Sequence, residues 1–311
     1  MPQSFRFNIV DVFTDTPLAG NQLAVFTDAR GIPEEMLQPL AKEVGFSETV
    51  FVYPPTQRAR GGGTAQEGAL DRENDDETVF VYPGTGAAHA RIRIFTPGIE
   101  VEFAGHPVLG TAFVLAAPLQ LEVIRLETRR GVVPVKLERE GARIVFGRME
   151  QPIPTVSAFE REQELLEALG VARSELPVEV YDNGLQHVYV TLGSEAEVAA
   201  LQPDFSRLRD LPEELGVNTI AGSGSSWKTR MLMPAGGVAE DPATGSAAGP
   251  LALHLARHGR IAFGDEIEIT QGVEIGRPSK LYAHVEGSAE QVERVEVGGS
   301  AVVVARGEFR L

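Results

Sequence analysis

Two carboxylates and one imidazole, Glu48, Asp241 and His106, stand where the sequence would let them meet a ligand. Residues 241–259 read DPATGSAAGPLALHLARHG, joining an acidic residue, a Gly/Ser turn and an apolar helix. Ser246 suits the N-cap, Pro250 is tolerable only in the first turn, Leu251, Leu253, Leu255 and Ala256 make the body apolar, and Gly259 ends it. A largely apolar helix must be buried. Its N-terminus still presents N–H groups and the positive end of a dipole, which suit a carboxylate or phosphate. Asp241 stands beside that anion site and Gly245 and Ser246 form its turn. Residues 103–118, FAGHPVLGTAFVLAAP, repeat the arrangement with Gly105 and His106 at the turn. Pro107 at the first helical position places His106 at or beside the N-cap, and Pro118 closes the helix. The repetition predicts two similar half-domains, each wrapped around one central helix, with both helix N-termini facing a ligand between them.

Glu48 belongs to SETVFVYP, which alternates as a strand, so Glu48, Val50 and Val52 share one face. If the valines point into a core, the carboxylate is half-buried, its pKa is raised, and it can exchange protons near neutral pH. The spacing alone also fits a strand-edge glutamate held in a hydrogen bond. Together, Glu48, His106 and Asp241 are equipment for removing a proton from an activated C–H and returning it elsewhere on the same molecule.

Other chemistries are weaker or excluded. There is no cysteine, which removes disulfides, thiolate metal sites and every thiol mechanism. His254 and His258 have metal-ligand spacing, but Leu255 stands where an HExxH motif needs glutamate, and no metal is expected. Ser225 and Lys228 match S-x-x-K without the buried helix that motif requires. A Ser246–His106–Asp241 triad lacks the G-x-S-x-G elbow. The GTGAAH run at residues 84–89 lacks the third glycine of a dinucleotide fingerprint and no helix follows it, so it reads as a turn. A formal charge of −16, from 28 basic and 44 acidic residues, argues against nucleic acid and anionic membranes. The N-terminus lacks a basic segment followed by an apolar one, and no stretch reaches the ~18 apolar residues of a membrane span, so a cytoplasmic protein is expected.

The elements that must carry these residues follow in order. RFNIVDVF and NQLAVF read as strands, IPEEMLQPLAKEVG as a helix kinked at Pro39, and residues 54–90 as an insert containing a short VFVY strand. From residue 121 antiparallel hairpins dominate, with a linker at MEQPIPT, a helix near FEREQELLEALG and a strand DNGLQHVYVTL opened by an Asn-Gly turn. The expected fold is α+β: two antiparallel barrel-like domains, residues 1–118 and 119–299, with a strand at about 300–311 returning to the first.

Over nearly the whole chain apart from the insert, these blocks resemble the phenazine-biosynthesis isomerase family, the PhzF-like proteins of the diaminopimelate epimerase-like fold. The blocks are FNIVDVFTDTPLAGNQLAVF, GFSETVFV, RIRIFTPGIEVEFAGHPVLGTA, MEQPIPT, EDPATGSAAGPLALHLARHG and QGVEIGRPS. The resemblance implies that Glu48 is the acid/base group, that His106 and Asp241 are catalytic, and that Gly105, Gly245 and Ser246 bind substrate. Related epimerases and proline racemases use two cysteines at these turns, a route closed to a chain without thiols. The implied reaction is the cofactor-free isomerisation of trans-2,3-dihydro-3-hydroxyanthranilate, with a proton moved from C3 to C1 to give a reactive ketone. The family further implies a homodimer. An isomerase of another small carboxylate and a non-catalytic carboxylate-binding protein are the alternatives.

Overall fold

The computed structural model describes residues 3–56, 88–213 and 215–311. The insert's VFVY segment and most of GTGAAH lie outside the described residues. The chain divides into two compact units, one of residues 1–17, 22–149 and 300–311, the other of residues 18–21 and 150–299.

In the first unit the strands succeed one another as Ala301–Arg310, Ser4–Val12, Asn21–Phe26, Glu48–Tyr53, Ala90–Phe95, Val123–Thr128, Gly131–Glu140 and Arg143–Gln151. In the second the succession is Thr155–Ala158, Glu179–Asp182, Gln186–Thr191, Leu215–Ser223, Ser226–Met233, Glu266–Gln271, Ser279–Gly287 and Val292–Gly299. The two patterns coincide step by step. Each has a parallel pair joined through helix, Asn21–Phe26 with Glu48–Tyr53 and Gln186–Thr191 with Leu215–Ser223. An antiparallel pair, a short strand and a buried helix come next, and then a second parallel pair. The sequence reading stressed antiparallel hairpins. The parallel pairs arise because a helix carries the chain back between those strands, which a two-residue turn cannot do.

The unit boundary falls between Met149 and Glu150, not after residue 118. The physical reason is pairing: Val123–Thr128 runs parallel to Ala90–Phe95, with Ala90 opposite Leu126, and the following hairpin extends from it. The strand Ala301–Arg310 pairs with Ser4–Val12 along its length, from Ser4 opposite Arg310 to Val12 opposite Ala301.

The helix Gly105–Ala116 is buried at every residue and packs against the strands Ser4–Val12, Glu48–Tyr53, Val123–Thr128 and Gly131–Glu140. Its close fit depends on Gly110, where a Cβ would lie 2.7 Å from both Leu23 Cδ2 and Val12 Cγ2. The helix Gly245–Arg257 is buried from Gly245 through Ala256 and packs against Gln186–Thr191, Glu266–Gln271, Ser279–Gly287 and Val292–Gly299. Both helices begin earlier than their prolines suggested. Their N-caps are Ala104 and Thr244, so His106 and Ser246 are each the second helical residue. Pro107 still falls in the first turn, where no hydrogen bond is lost. Pro250 is the sixth residue, inside the helix, and removes the N–H that would reach the Ser246 carbonyl. Asn183 Nδ2 donates to that oxygen instead, at 2.9 Å.

Candidate active site

In the first unit, Glu48 opens a strand that contacts the helix Glu34–Val44 and the buried helix Gly105–Ala116. Phe51 joins Phe26, Phe95, Leu37 and Leu40 in an apolar cluster. By alternation Glu48, Val50 and Val52 face the other way. The strand is buried on both faces, and its carboxylate has reached the mouth of the buried helix: Glu48 Oε2 lies 3.5 Å from His106 Nε2. Burial pushes the Glu48 carboxyl up to about 7, partly opposed by a hydrogen bond from the Ser47 hydroxyl. Near neutral pH this group therefore populates both its proton-accepting and its proton-donating form.

The second unit builds its mouth differently. Asp241 ends a short strand and is 7% exposed. Its Oδ1 accepts from Asn21 Nδ2 at 2.9 Å and its Oδ2 from Thr244 Oγ1 at 2.5 Å. Gln271 Nε2 donates to Thr244 Oγ1 at 2.9 Å and to the Asp241 carbonyl at 2.8 Å, and Gln271 Oε1 accepts from Thr244 N–H. The carboxylate is thus fixed in orientation by side chains that are themselves fixed. The first helical turn is clamped in the same way: Gln151 Nε2 donates to the Gly245 carbonyl at 2.8 Å and the Tyr189 hydroxyl to the Ala247 carbonyl at 2.6 Å. Ser246 Oγ lies 3.1 Å from His187 Nε2.

The structure therefore brings Glu48 and His106 together in one unit, and gathers Asp241, Gly245 and Ser246 at one helix mouth in the other. The histidine in contact with Ser246 is His187.

Residues 10–62 and 71–307 match the family described as phenazine biosynthesis-like protein, PhzC-PhzF. The chain belongs to the PhzC-PhzF family. Among its relatives is the trans-2,3-dihydro-3-hydroxyanthranilate isomerase of Pseudomonas aeruginosa, 47% identical over 98% of this chain and 99% of that one. A PhzF-family phenazine biosynthesis protein of Bacillus anthracis superposes with a TM-score of 0.77 at 24% identity, covering 99% of each chain. A hydroxyproline epimerase of Agrobacterium vitis shares the fold at a TM-score of 0.62 and 12% identity, covering 99% of this chain and 91% of its own. The fold is that of the PhzF and proline-racemase-like proteins, and this PhzC-PhzF protein is an isomerase.

Several residues around the PhzC-PhzF candidate site escaped the sequence reading. Asn21 meets Asp241 across 220 positions, a distance no local pattern reports. His187 and Tyr189 were visible only as alternate positions of a strand, although their shared face, opposite Val188 and Val190, was a usable signal. Elsewhere, His254 and His258 converge on Glu179, as metal-ligand spacing would allow. Glu179 Oε2 also accepts from the Tyr181 hydroxyl at 2.9 Å and from Arg257 at 3.1 Å, with His258 Nε2 at 2.8 Å. Hydrogen bonding, first from the His254 side and then from His258 and Tyr181, holds this carboxyl well below its ordinary range. A guanidinium already stands on the oxygen a metal would need, and the cluster ties the helix end to its neighbouring strand. Lys228 of the S-x-x-K match is engaged with Glu274 at 2.7 Å. Among the described residues no helix is long and apolar enough to cross a membrane.

Proposed function

We propose that this protein isomerises trans-2,3-dihydro-3-hydroxyanthranilate in phenazine biosynthesis, with Glu48 lifting the proton from C3 and delivering it to C1. The observation that carries this reading is the Glu48 carboxylate, half-buried on a strand face with its Oε2 3.5 Å from His106 Nε2 and raised to about 7. A base in that range is strong enough to take a proton from an activated C–H. Its conjugate acid, at the same pH, is weak enough in hold to give the proton back. The 47% identity to an isomerase of that name supports the substrate. His106 stands beside the base and completes the polar lining of its helix mouth, while Asp241, Gly105, Gly245 and Ser246 bind and orient the substrate's polar groups. The helix N-termini suit its carboxylate. No cofactor enters the reaction, because one carboxyl group supplies both the base and the acid. We further propose that the protein acts as a homodimer, which light scattering at micromolar concentration would test by mass.

The direct test is to follow the ultraviolet spectrum of the substrate with purified protein. Turnover by the wild type and its loss in Glu48→Gln are expected. An unchanged spectrum with wild-type protein would remove the substrate assignment, and a compound held unchanged at stoichiometric protein would mark a binding protein. Run in D2O, turnover should leave part of the C3 proton at C1, since a shielded carboxyl exchanges slowly with solvent. Complete deuteration at C1 would count against direct delivery by one shielded group.

A further inference from the structure

His187 makes a contact that the proposed reaction does not use. It is fully buried on the strand Gln186–Thr191, opposite Gly216 of the parallel strand Leu215–Ser223. Gly216 leaves room for the imidazole: a Cβ there would lie 2.8 Å from His187 Nδ1. The ring's other nitrogen, Nε2, lies 3.1 Å from Ser246 Oγ. Among the described residues Nδ1 has no hydrogen-bond partner.

A neutral imidazole carries one proton, on either nitrogen, and the surroundings decide which. On Nδ1 the proton would be a buried donor without an acceptor, an arrangement that costs more than a bare lone pair in the same place. On Nε2 it meets the serine oxygen. Burial also pushes the His187 pKa down to about 3, only weakly opposed by Asp182, so the ring stays neutral across the working range. With Nε2–H donating to Oγ, the serine's own O–H must point elsewhere. Ser246 is the second residue of the buried helix, at an N-terminus whose dipole favours an anion.

We propose that His187 is a positioning residue that sets the polarity of the Ser246 hydroxyl, turning it into a donor aimed at a carboxylate bound at this helix mouth. This rests on the reading of that mouth as the substrate's carboxylate site. The same arrangement disfavours a nucleophilic serine, because an activating base would need Nε2 bare and a carboxylate on Nδ1.

The test begins with the wild type. Nitrogen-15 NMR of histidine-labelled protein should show His187 protonated at Nε2 and bare at Nδ1; the opposite tautomer overturns the proposal without any variant having to fold. Next, binding of anthranilate, an unreactive aromatic amino-carboxylate, is measured by calorimetry for wild type, His187→Leu, His187→Gln, Ser246→Ala and the double variant His187→Leu/Ser246→Ala. His187→Leu should weaken binding about fivefold to tenfold and raise KM for the dihydro-hydroxyanthranilate similarly, with kcat within about twofold. His187→Gln, whose amide N–H can reach Oγ, should restore most of the loss. In the Ser246→Ala background His187→Leu should add nothing. Additive losses, or unchanged binding in His187→Leu, would refute the role. If wild type binds anthranilate with the coupling described yet does not turn over the dihydro-hydroxyanthranilate, the substrate reading fails while the role of His187 stands.

Discussion

The two buried helices start alike, each with glycine first and a polar residue second, yet their mouths hold their polar side chains differently. At the first, Glu48 and His106 sit with apolar strand residues behind them, and the carboxyl is left energetically uncomfortable in its charged form. At the second, Asp241, Thr244 and Gln271 are linked in a chain of hydrogen bonds that leaves little freedom, and Ser246 is braced by His187. A group that must change protonation benefits from an environment that does not commit it to one form. A group that must hold a ligand benefits from one that commits it fully. Under the proposed function, one architectural unit used twice supplies a reactive end and a rigid end through the hydrogen-bond partners around each.

The largest expected effect tests the reactive end. Glu48→Gln should lower kcat by about 10²–10⁴-fold, the usual worth of a positioned acid/base group, and wild-type kcat/KM should fall about tenfold per pH unit below about 7, where Glu48 is protonated. Near-wild-type turnover in the variant would abolish the contrast between the two mouths. A smaller, independent effect lies in stability. The folded protein holds the Glu48 proton more tightly than the unfolded chain does, so wild-type stability declines as pH rises from about 4.5 to about 7, by at most about 3 kcal/mol, and levels off above. Glu48→Gln has no such proton. Urea unfolding of both proteins near pH 4.5 and pH 8 should therefore show the variant gaining on the wild type across that window, and parallel pH curves would contradict the burial argument.

Much of this was legible in the residues. Apolar runs opening on Gly-His-Pro and Gly-Ser announced two buried helices, and the alternation of SETVFVY placed Glu48 on a face shared with valines. What the pattern could not supply was partnership at long range. Nothing near Asp241 points to Asn21, and nothing near Pro250 reveals that Asn183 replaces its missing donor. The cap positions were misjudged because Pro107 was taken as the first helical residue and Ser246 as an N-cap, whereas the helices start at Gly105 and Gly245, with Ala104 and Thr244 as their caps. The domain limit was misplaced because Pro118 ends a helix, and a helix end says nothing about where the following strands pair.

A third test asks how tightly the reactive end is held in place. Gly110 lets its helix approach the strands Ser4–Val12 and Asn21–Phe26, and the added methyl of Gly110→Ala would meet Leu23 and Val12 at 2.7 Å. Alanine normally favours a helix by close to 1 kcal/mol over glycine, but overpacking of this kind costs about 1–3 kcal/mol, so a net loss of up to about 2 kcal/mol is expected. Because the helix carries His106 to Glu48, kcat should fall along with the thermal midpoint. A stabilised Gly110→Ala would show that the packing can yield.

The smallest effect belongs to the rigid end and separates it from the reactive one. Tyr189 is fully buried, and its hydroxyl donates to the Ala247 carbonyl in the first turn of the second helix, at 2.6 Å. Tyr189→Phe removes that donor and leaves the ring stacked near His254, 5.3 Å between centroids. The loss of one buried hydrogen bond should cost about 1 kcal/mol of stability. It should leave kcat nearly unchanged, because Asp241 and Ser246 keep their own partners, and the remaining clamp from Gln151 still holds the turn. A modest rise in KM with a constant kcat is the expected signature of a mouth whose task is holding. If Tyr189→Phe instead lowered kcat as much as Gly110→Ala, the rigid end would be taking part in the proton transfer itself, and the division of labour between the two helices would have to be redrawn.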